Sequence, residues 1–348
     1  MLEPSIVDTP DWRQRATDHF DVAQQRFFNP WRDTEKTAVD LVRWWWAADP
    51  RPWPAQVANG TYPPPPGRVS DGQVAVTFVG HASVLARLGG TTLLTDPHFS
   101  THAGAFGRLG APRVRPPGIL REALPPIAVV FVSHDHYDHL DVPSLRWLDV
   151  HREPLFVTCL GLRERLRREG LRRVVELDWW ETLTVHDTTV TVTPAQHWSK
   201  RGIRDEFTTL WGGCHVRHRC GATLYFAGDS GYAPCFAQVR ERLGPPDVAL
   251  LPIGAYEPRW IMQDNHMNPD EAVRAHLDLG ARTSIAIHHA CFRLGDEGFD
   301  EPVRDLETAR RQHRLPPEAF RVLDVGESVL LGRDRHAGRG VAAQVRRG

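Results

Sequence analysis

The hydrophobic pattern of the chain changes at about residue 73, where short strand patterns replace a polar, aromatic and proline-rich lead-in. Over residues 74–79, Val74, Val76 and Phe78 recur with a period of two, which is typical of a β-strand. Two further apolar runs flank Gly89-Gly90, a strong signal for a β-hairpin. The pattern therefore predicts that a β-rich domain begins near residue 73.

The remaining elements follow from apolar runs, apolar periodicity and turn residues. Strands are predicted at residues 83–88, 91–95, 129–132, 155–159, 223–227, 248–253 and 284–287, with hairpins at 182–192 and at about 320–331. Helices are predicted at residues 160–169, 234–243, from 269 onward and at about 301–311. Strands and helices alternate in two halves of similar size, which predicts two packed sheets with helices outside them.

The lead-in, residues 1–72, is predicted to pack on this core domain, residues 73–332. Asp33 is predicted to cap a short helix whose apolar stripe lies at positions 38, 41, 42 and 45. Trp44 and Trp46 lie off that stripe, and Trp53 follows close behind. They are expected to pack on the core, although indole rings also suit a membrane interface. Residues 333–348 are rich in Arg and Gly without periodicity, which predicts a disordered tail.

Composition excludes several classes of protein. The 348 residues are 41% apolar and 24% charged, with a formal net charge of −1, so no basic field favours nucleic acid. No secretory signal and no run of about 18 apolar residues is visible. The five cysteines are odd in number and scattered, which indicates reduced thiols and a cytoplasmic protein.

The 18 histidines are the unusual feature of the composition and favour metal binding, because several lie together at the end of a predicted strand. An apolar run, residues 129–132, ends in Ser133-His134-Asp135-His136-Tyr137-Asp138-His139. Imidazole nitrogens and carboxylate oxygens are good ligands for zinc or a similar divalent ion. One ion could not easily accept four ligands from six consecutive residues. Two adjoining ions could, with His134 and His136 on one and Asp138 and His139 on the other.

Three more predicted strands end in a residue that can bind metal: His197, Asp229 and His288. Two ions with three protein ligands each and one bridging carboxylate need seven residues, which is the number that the loop and these strand ends provide. His288 and His289 are neighbours in an extended segment, so only one of them is expected to bind metal. Zinc is the predicted metal, although iron or manganese would also accept these ligands. Asp96 also follows a strand, and either a supporting carboxylate or a turn cap fits it equally.

Two segments besides the histidine-rich loop are distinctive: Leu177-Asp178-Trp179-Trp180-Glu181 and residues 252–260, which read Pro-Ile-Gly-Ala-Tyr-Glu-Pro-Arg-Trp. Other motifs are Arg26-Phe27-Phe28-Asn29-Pro30-Trp31, Gly80-His81-Ala82-Ser83, Leu94-Thr95-Asp96-Pro97, Gln196-His197-Trp198, Phe226-Ala227-Gly228-Asp229 and Asn268-Pro269-Asp270-Glu271-Ala272. Together they resemble the N-acylphosphatidylethanolamine-hydrolysing phospholipase D family, within the metallo-β-lactamase fold superfamily. The resemblance implies an α/β fold, an αββα sandwich of two packed mixed sheets flanked by helices.

The resemblance also implies how the site residues divide their roles. One ion would be held by His134, His136 and His197, and a second by Asp138, His139 and His288. Asp229 would bridge the two ions opposite a bridging hydroxide. His266 would orient the substrate or donate a proton, and Asp138 would be catalytic as well as a ligand. Residues assigned to the substrate are His266, Tyr256 and Trp260, and those expected behind the ligands are Asp96 and His81.

By this resemblance the chain would be a phosphodiesterase of lipid metabolism. It would cleave N-acylphosphatidylethanolamine-like lipids to N-acylethanolamine and phosphatidic acid. The same two-metal site acting on a lactone, a cyclic amide or a soluble phosphodiester stays an alternative, and a binding protein without turnover is a further one. Two features depart from the family pattern: His289 stands where a tryptophan is expected, and Asp264-Asn265 precede His266. Peripheral contact with a membrane and a homodimer stay open.

Overall fold

Two mixed β-sheets of seven strands each form the centre of the molecule, and helices cover both outer faces. The structure is a computed structural model that describes residues 12–14 and 17–332. The predicted tail, residues 333–348, lies outside the described residues. The αββα architecture expected from the sequence is confirmed.

The described residues contain eighteen strands. They are β1 (Phe20–Asp21), β2 (Arg26–Phe27), β3 (Gln73–Gly80), β4 (Ser83–Leu88), β5 (Thr91–Thr95), β6 (His102–Ala103), β7 (Ala111–Pro112), β8 (Val129–Val132), β9 (Leu155–Cys159), β10 (Val174–Leu177), β11 (Thr182–Val185), β12 (Thr188–Thr193), β13 (Gly213–His218), β14 (Thr223–Phe226), β15 (Val248–Pro252), β16 (Thr283–Ile287), β17 (Phe320–Arg321) and β18 (Ser328–Gly332). The helices are α1 (Ala38–Ala47), α2 (Val142–His151), α3 (Arg163–Arg168), α4 (Cys235–Leu243), α5 (Arg259–Met262), α6 (Pro269–Leu279) and α7 (Glu301–Gln312).

The first sheet has the order β10-β9-β8-β5-β4-β3-β18, and the second has the order β11-β12-β13-β14-β15-β16-β17. In each sheet four neighbouring strands are parallel, from β5 to β10 in the first and from β14 to β17 in the second. The loops that follow parallel strands meet at one edge of a sheet, which is where α/β proteins bind ligands. The predicted ligands come from such loops in both sheets, except His197, which follows the antiparallel strand β12.

Apolar side chains fill the space between the two sheets. The central strands β8 and β14 are buried on both faces. Phe131 on β8 and Phe226 on β14 meet edge to face across this layer, with ring centroids 6.1 Å apart. Such aromatic pairs favour this geometry because the edge of one ring is positive and the face of the other is negative. The inner core thus holds the two sheets, and the loops at their edges, in a fixed relation.

The predicted final hairpin is wrong. β17 extends the second sheet parallel to β16, whereas β18 pairs antiparallel with β3 in the first sheet. Two helix boundaries also differ from the prediction. α1 is capped by Thr37, which forms a capping box with Asp40, and not by Asp33. The helix expected over residues 160–169 is shorter, because α3 runs only from Arg163 to Arg168.

The lead-in contacts the core domain at several points. The backbone N–H of Phe27 donates to the carbonyl of Phe207 over 2.8 Å, and the Trp53 indole donates to the carbonyl of Glu297 over 2.9 Å. The ring of Trp46, by contrast, is 78% exposed on α1. The tryptophans of the lead-in therefore differ, since one packs on the core and one faces outward. The boundary between lead-in and core stays a prediction.

Across the described residues, no helix combines the length and the apolar character that a membrane span requires. All five cysteines lie in this part of the chain, and all are free thiols.

His19 attaches the lead-in to the second half of the chain. Its Nε2 lies 2.7 Å from Asp178, and its ring stacks on Trp179. Burial disfavours the charged imidazole, but the hydrogen bonds and charge of the neighbouring carboxylates, Asp178 first, outweigh it and raise the pKa of His19.

A raised pKa in the folded state stabilises the fold fully below the ordinary histidine pKa of about 6.5, and this contribution is lost as the pH rises through the folded pKa. His19→Gln should therefore lower the free energy of unfolding by about 1.5 kcal/mol below pH 6.5, the value of a charged hydrogen bond, and by less above it. Thermal unfolding of both proteins from pH 5.5 to 8.5 tests this. A difference that stays constant over this range would contradict it.

Candidate metal centre

The loop after β8 carries four of the predicted ligands at the carboxyl edge of the first sheet. β8 is buried along its whole length, and the chain leaves the sheet at Ser133. The side chains of His134 and His139 are almost completely buried. The sheet therefore holds these residues rigidly while their ring nitrogens face the neighbouring loops.

Three imidazoles converge in a first group. His136 Nδ1 lies 2.9 Å from His134 Nε2 and 3.2 Å from His197 Nε2. His197 comes from the loop after β12, so the group joins the two sheets. The Nδ1 atom of His197 lies 3.0 Å from the backbone carbonyl of Asn265. Because a carbonyl only accepts, Nδ1 carries the proton, and the Nε2 lone pair faces the other two rings.

Two carboxylates and two imidazoles form a second group beside the first. Asp138 Oδ2 lies 3.1 Å from His139 Nε2 and 3.3 Å from His288 Nε2. Asp229 Oδ2 lies 3.0 and 3.1 Å from the same two nitrogen atoms, and 3.9 Å from His197 Nε2. Asp229 thus lies between the two groups.

The atoms in these groups fit metal ligands better than hydrogen-bond partners. Within the described residues, His139 Nε2 lies close to two carboxylate oxygens yet makes no hydrogen bond, and Asp229 Oδ1 is also buried without a partner. Four ligands around a tetrahedral zinc ion at about 2.0–2.1 Å lie about 3.3 Å from one another. The distances of 2.9 to 3.3 Å within the groups are near that value. The donor set therefore fits two divalent ions that share Asp229.

The structure brings all seven predicted ligands together: His134, His136, Asp138, His139, His197, Asp229 and His288. His289, by contrast, packs away from them, with its ring stacked on Phe78 at 5.4 Å. The assignment of the seven residues as metal ligands stays a prediction, which the short distances between their ligand atoms favour.

Asp96 lies directly behind His139. Its carboxylate accepts hydrogen bonds from the Ser133 backbone N–H over 2.7 Å, from the Ser133 hydroxyl over 2.6 Å and from His139 Nδ1 over 2.7 Å. The last bond fixes the tautomer of His139 so that its Nε2 lone pair points to the second group. Asp96 also has a φ of +32°, which is rare for a residue with a side chain.

Replacing Asp96 with asparagine should weaken metal binding by about 10- to 100-fold, because one amide oxygen cannot replace a carboxylate that accepts three hydrogen bonds. Titration against a chelator of known affinity measures this. Asp247→Asn is a matched control, because Asp247 accepts two hydrogen bonds from Thr223 at the opposite end of the sheet. Equal affinity in both variants would contradict the role of Asp96.

His81 and His266 border the cluster on two sides. His81 Nε2 lies 2.9 Å from Asp138 Oδ2. It is also close enough to the ligand atoms of Asp138, His139 and His288 to be a fourth residue that could hold an ion. His266 Nδ1 lies 3.9 Å from Asp229 Oδ2 and has no hydrogen-bond partner in the part of the chain that the structure describes. Burial lowers the pKa of His266 to about 4, so its ring is neutral at pH 7.

The two other residues assigned to the substrate, Tyr256 and Trp260, make contacts with residues outside the set of predicted ligands. The Tyr256 hydroxyl donates to Asp305 on α7, so it faces the second sheet's outer helices. The ring of Trp260 carries the guanidinium of Arg43 at 4.7 Å. Neither contact places a polar atom beside the predicted metals.

Sequence reasoning missed two residues that orient His197, and a third that borders the site. Asn29 donates its side-chain amide to the His197 carbonyl over 2.7 Å, and the Asn265 carbonyl binds the His197 ring. The Trp198 ring lies 4.8 Å from the His136 ring. Asn29 belongs to a motif noted in the sequence, but a backbone carbonyl such as that of Asn265 has no signal in a sequence.

Comparison with known proteins finds a family model and relatives that agree with one another. A family model described as a beta-lactamase superfamily domain matches residues 91–289. The N-acyl-phosphatidylethanolamine-hydrolyzing phospholipase D 1 of Caenorhabditis elegans is 37% identical over 273 residues, which are 74% of this chain and 76% of that protein. The mitochondrial N-acyl-phosphatidylethanolamine-hydrolyzing phospholipase D of Saccharomyces cerevisiae is 35% identical over 238 residues, 66% of this chain and 50% of that protein.

Among solved structures, the metallo hydrolase Igni18 from the archaeon Ignicoccus hospitalis is similar in fold. It superposes with a TM-score of 0.55 at 20% sequence identity and covers 74% of this chain and 98% of Igni18. At this level of identity the likeness concerns the fold alone.

Proposed function

This metal-dependent hydrolase belongs to the N-acyl-phosphatidylethanolamine-hydrolysing phospholipase D family of the beta-lactamase superfamily, and we propose that it is a phosphodiesterase acting on N-acylphosphatidylethanolamine-like lipids. Hydrolysis of the phosphodiester would release an N-acylethanolamine and leave phosphatidic acid. The observation that carries the proposal is the pair of ligand groups that share Asp229. The identity to the worm and yeast phospholipases supports the substrate.

We assign His134, His136 and His197 to one ion, and Asp138, His139 and His288 to the other. Asp229 lies between the groups and would contact both. When bound, two divalent ions lower the pKa of a water molecule and offset negative charge on a phosphodiester. We propose zinc, because neutral imidazole and carboxylate ligands at tetrahedral spacing suit it. The chain's part is to keep the imidazoles deprotonated at the ligating nitrogen, as the Asp96 and Asn265 contacts do.

His266 is proposed to act on the substrate directly. It lies at the edge of the cluster, its ring is neutral, and its Nδ1 atom has no partner among the described residues. A neutral imidazole has one N–H that can donate to a phosphoryl oxygen or to the departing oxygen. Its backbone is fixed as well, because Arg259 donates to the His266 carbonyl over 2.9 Å.

The decisive experiment combines metal analysis of the purified protein with two hydrolysis assays. One substrate is N-acylphosphatidylethanolamine in mixed micelles, with the N-acylethanolamine product measured by mass spectrometry. The other is bis(p-nitrophenyl) phosphate, a soluble phosphodiester. About two metal ions per chain and release of N-acylethanolamine would support the proposal, whereas turnover of only the soluble diester would reject the lipid substrate.

His266→Gln refines the same experiment. It should retain both metals and lose about 10²- to 10⁴-fold in turnover, the range that a positioned proton donor contributes. Asn265→Ser in the same loop keeps the backbone carbonyl that binds His197, so it should retain near-normal turnover. Unchanged turnover of His266→Gln would remove His266 from the mechanism.

A cytoplasmic location and a homodimer remain predictions from the sequence.

A further inference from the structure

An arm of the lead-in, residues 29–36, contacts the loop that carries His197. The Asn29 amide donates to the His197 carbonyl over 2.7 Å, and the Asn29 side-chain oxygen accepts from the His197 backbone N–H over 3.3 Å. Gln196, the preceding residue, donates its side-chain amide to the Arg32 carbonyl over 2.8 Å. The arm therefore holds both polar backbone groups of His197.

Two cations of the same arm bind Asp264, in the loop that carries His266. Lys36 Nζ lies 2.9 Å from Asp264 Oδ2, and Arg32 Nη1 lies 3.3 Å from Asp264 Oδ1. The Lys36 and Asp264 side chains are only 20% and 18% exposed, so solvent screens their attraction less than that of an exposed pair. Arg32 is 46% exposed and contributes less for that reason. The backbone beside Lys36 is fixed, because the next residue, Thr37, caps α1.

Asp264 is followed directly by two residues that act at the metal centre. The Asn265 carbonyl lies 3.0 Å from His197 Nδ1, and the His266 ring lies 5.1 Å from the His197 ring. The backbone N–H groups of Asn265 and His266 both donate to the Met262 carbonyl, so this segment forms one tight turn. A displacement of Asp264 would therefore move the two residues that follow it.

The loop after Asp229 packs closely on this turn. A Cβ atom placed on Gly231 would lie 2.7 Å from the Asp264 carbonyl oxygen, so the two backbones are in direct contact. The Met267 N–H also donates to the Ser230 carbonyl over 2.9 Å. The turn thus lies in contact with both the carboxylate loop and the arm, and its position depends on both.

The carboxylate that the arm binds is distinctive for this chain. Asp264-Asn265 is one of the two places at which the sequence departs from the pattern of the family it resembles. The arm supplies two cations for this side chain, Lys36 and Arg32. The departure therefore has a structural counterpart in the lead-in, and that counterpart lies two residues from His266 along the turn.

We infer that Lys36 is a positioning residue for His266, and that the arm is a working part of the catalytic centre. Lys36 acts through Asp264, because the ion pair holds the turn and the turn sets where the His266 ring stands beside Asp229. The inference rests on the proposed function, since it specifies what places the proton donor of that reaction. A misplacement of about 1 Å can cost a reaction up to about a hundredfold in rate.

Steady-state kinetics with bis(p-nitrophenyl) phosphate and with N-acylphosphatidylethanolamine test this role. Lys36→Met keeps the length of the side chain and removes its charge. It should lower kcat by about tenfold or more on both substrates, while KM and the metal content stay near those of the wild type. Lys36→Arg keeps the charge and should retain most of kcat. An unchanged kcat in Lys36→Met would contradict the inference.

A double-mutant cycle with His266→Gln separates positioning from a general loss of structure. If Lys36 acts through His266, Lys36→Met should lower kcat no further once His266 has been replaced. A further loss of about tenfold in the His266→Gln background would mean that the two residues act independently, and the inference would fail.

A second readout requires no turnover. In zinc-loaded protein with carbon-13-labelled histidine, the ring signal of His266 is the one that is missing from His266→Gln. This signal should shift in Lys36→Met and in Asp264→Asn. An unmoved signal in Lys36→Met would overturn the inference.

The matched control is Asp149→Asn, which breaks another ion pair between distant parts of the chain. Asp149 lies on α2 and binds Arg172 over 2.8 Å. This control should leave kcat and the His266 signal as they are in the wild type. An equal loss of kcat in Asp149→Asn and Lys36→Met would show a general effect of losing an ion pair, and would reject the specific role of Lys36.

The outcomes separate the arm from the proposed activity. Coupling between Lys36 and His266 on the soluble diester, without release of N-acylethanolamine, would keep the role of Lys36 and reject the lipid substrate. Release of N-acylethanolamine without that coupling would keep the substrate and reject the role of Lys36.

Discussion

Replacing Asp229 with asparagine should lower phosphodiester turnover by about a thousandfold or more. Metal ions stabilise developing charge by several kcal/mol, and each 1.36 kcal/mol corresponds to a factor of ten in rate. Asp229 is the carboxylate that approaches both groups, at 3.0 Å from His139 Nε2 and 3.9 Å from His197 Nε2. An amide keeps the size of the side chain but removes its negative charge, so at least one ion should be lost.

The measurement pairs turnover with metal content for each purified variant. Asp138→Asn should behave similarly but lose only the second ion, because Asp138 contacts His139 and His288 and not the first group. Asp187→Asn is the control, since Asp187 lies in the exposed turn between β11 and β12, where it pairs with Arg219. Full activity of Asp229→Asn with two bound ions would exclude the shared-carboxylate arrangement.

Removing the metals should lower the free energy of unfolding by about 4 kcal/mol for each ion present at a thousandfold excess over its dissociation constant. The reason is that the ligands come from both sheets: the histidine-rich loop follows β8, whereas Asp229 and His288 follow β14 and β16. Ions bound there connect the two sheets in the folded state only. Without them, the carboxylates of Asp138 and of the buried Asp229 remain close to each other, with imidazoles as their neighbours among the described residues.

Calorimetric unfolding with and without a chelator, followed by addition of zinc, measures this effect. The melting temperature should fall on chelation and recover when zinc is restored. Asp138→Asn serves as the comparison, because it should start lower and respond less. If metal analysis shows complete removal while the melting temperature is unchanged, the ions do not stabilise the fold.

The sequence was sufficient to predict which side chains the structure brings together, because the predicted ligands have a distinctive chemistry and a distinctive place at the ends of strands. A predicted ligand follows each of three buried strands, β8 in the first sheet and the parallel β14 and β16 in the second, and the loops after these strands meet at the candidate centre. Hairpins with Gly-Gly or short polar turns could also be predicted, as for the hairpin of β4 and β5. These features depend on local sequence, so they could be predicted without knowledge of the fold.

What could not be predicted depends on contacts between distant segments. β17 and β18 look like a hairpin in the sequence, yet each pairs with a different sheet, because the choice of partner is decided by the free edges at β16 and β3. The aromatic Tyr256 sits in a motif shared with the family, but its hydroxyl binds Asp305, which is 49 residues away. The support of His197 by Asn29 likewise joins residues 168 positions apart.

The division of the ligands between the sheets also matters while the chain is being synthesised. The histidine-rich loop ends at residue 139, and 149 further residues must be added before the last predicted ligand, His288, is complete. At about 5–20 residues per second, this takes roughly 7 to 30 seconds. Once the loop has left the ribosome, three histidines and an aspartate are available to any transition metal in the cell before the residues that would complete the centre exist. The cellular concentration of competing metals, and not only the affinity of the finished site, should therefore influence which ions the protein acquires.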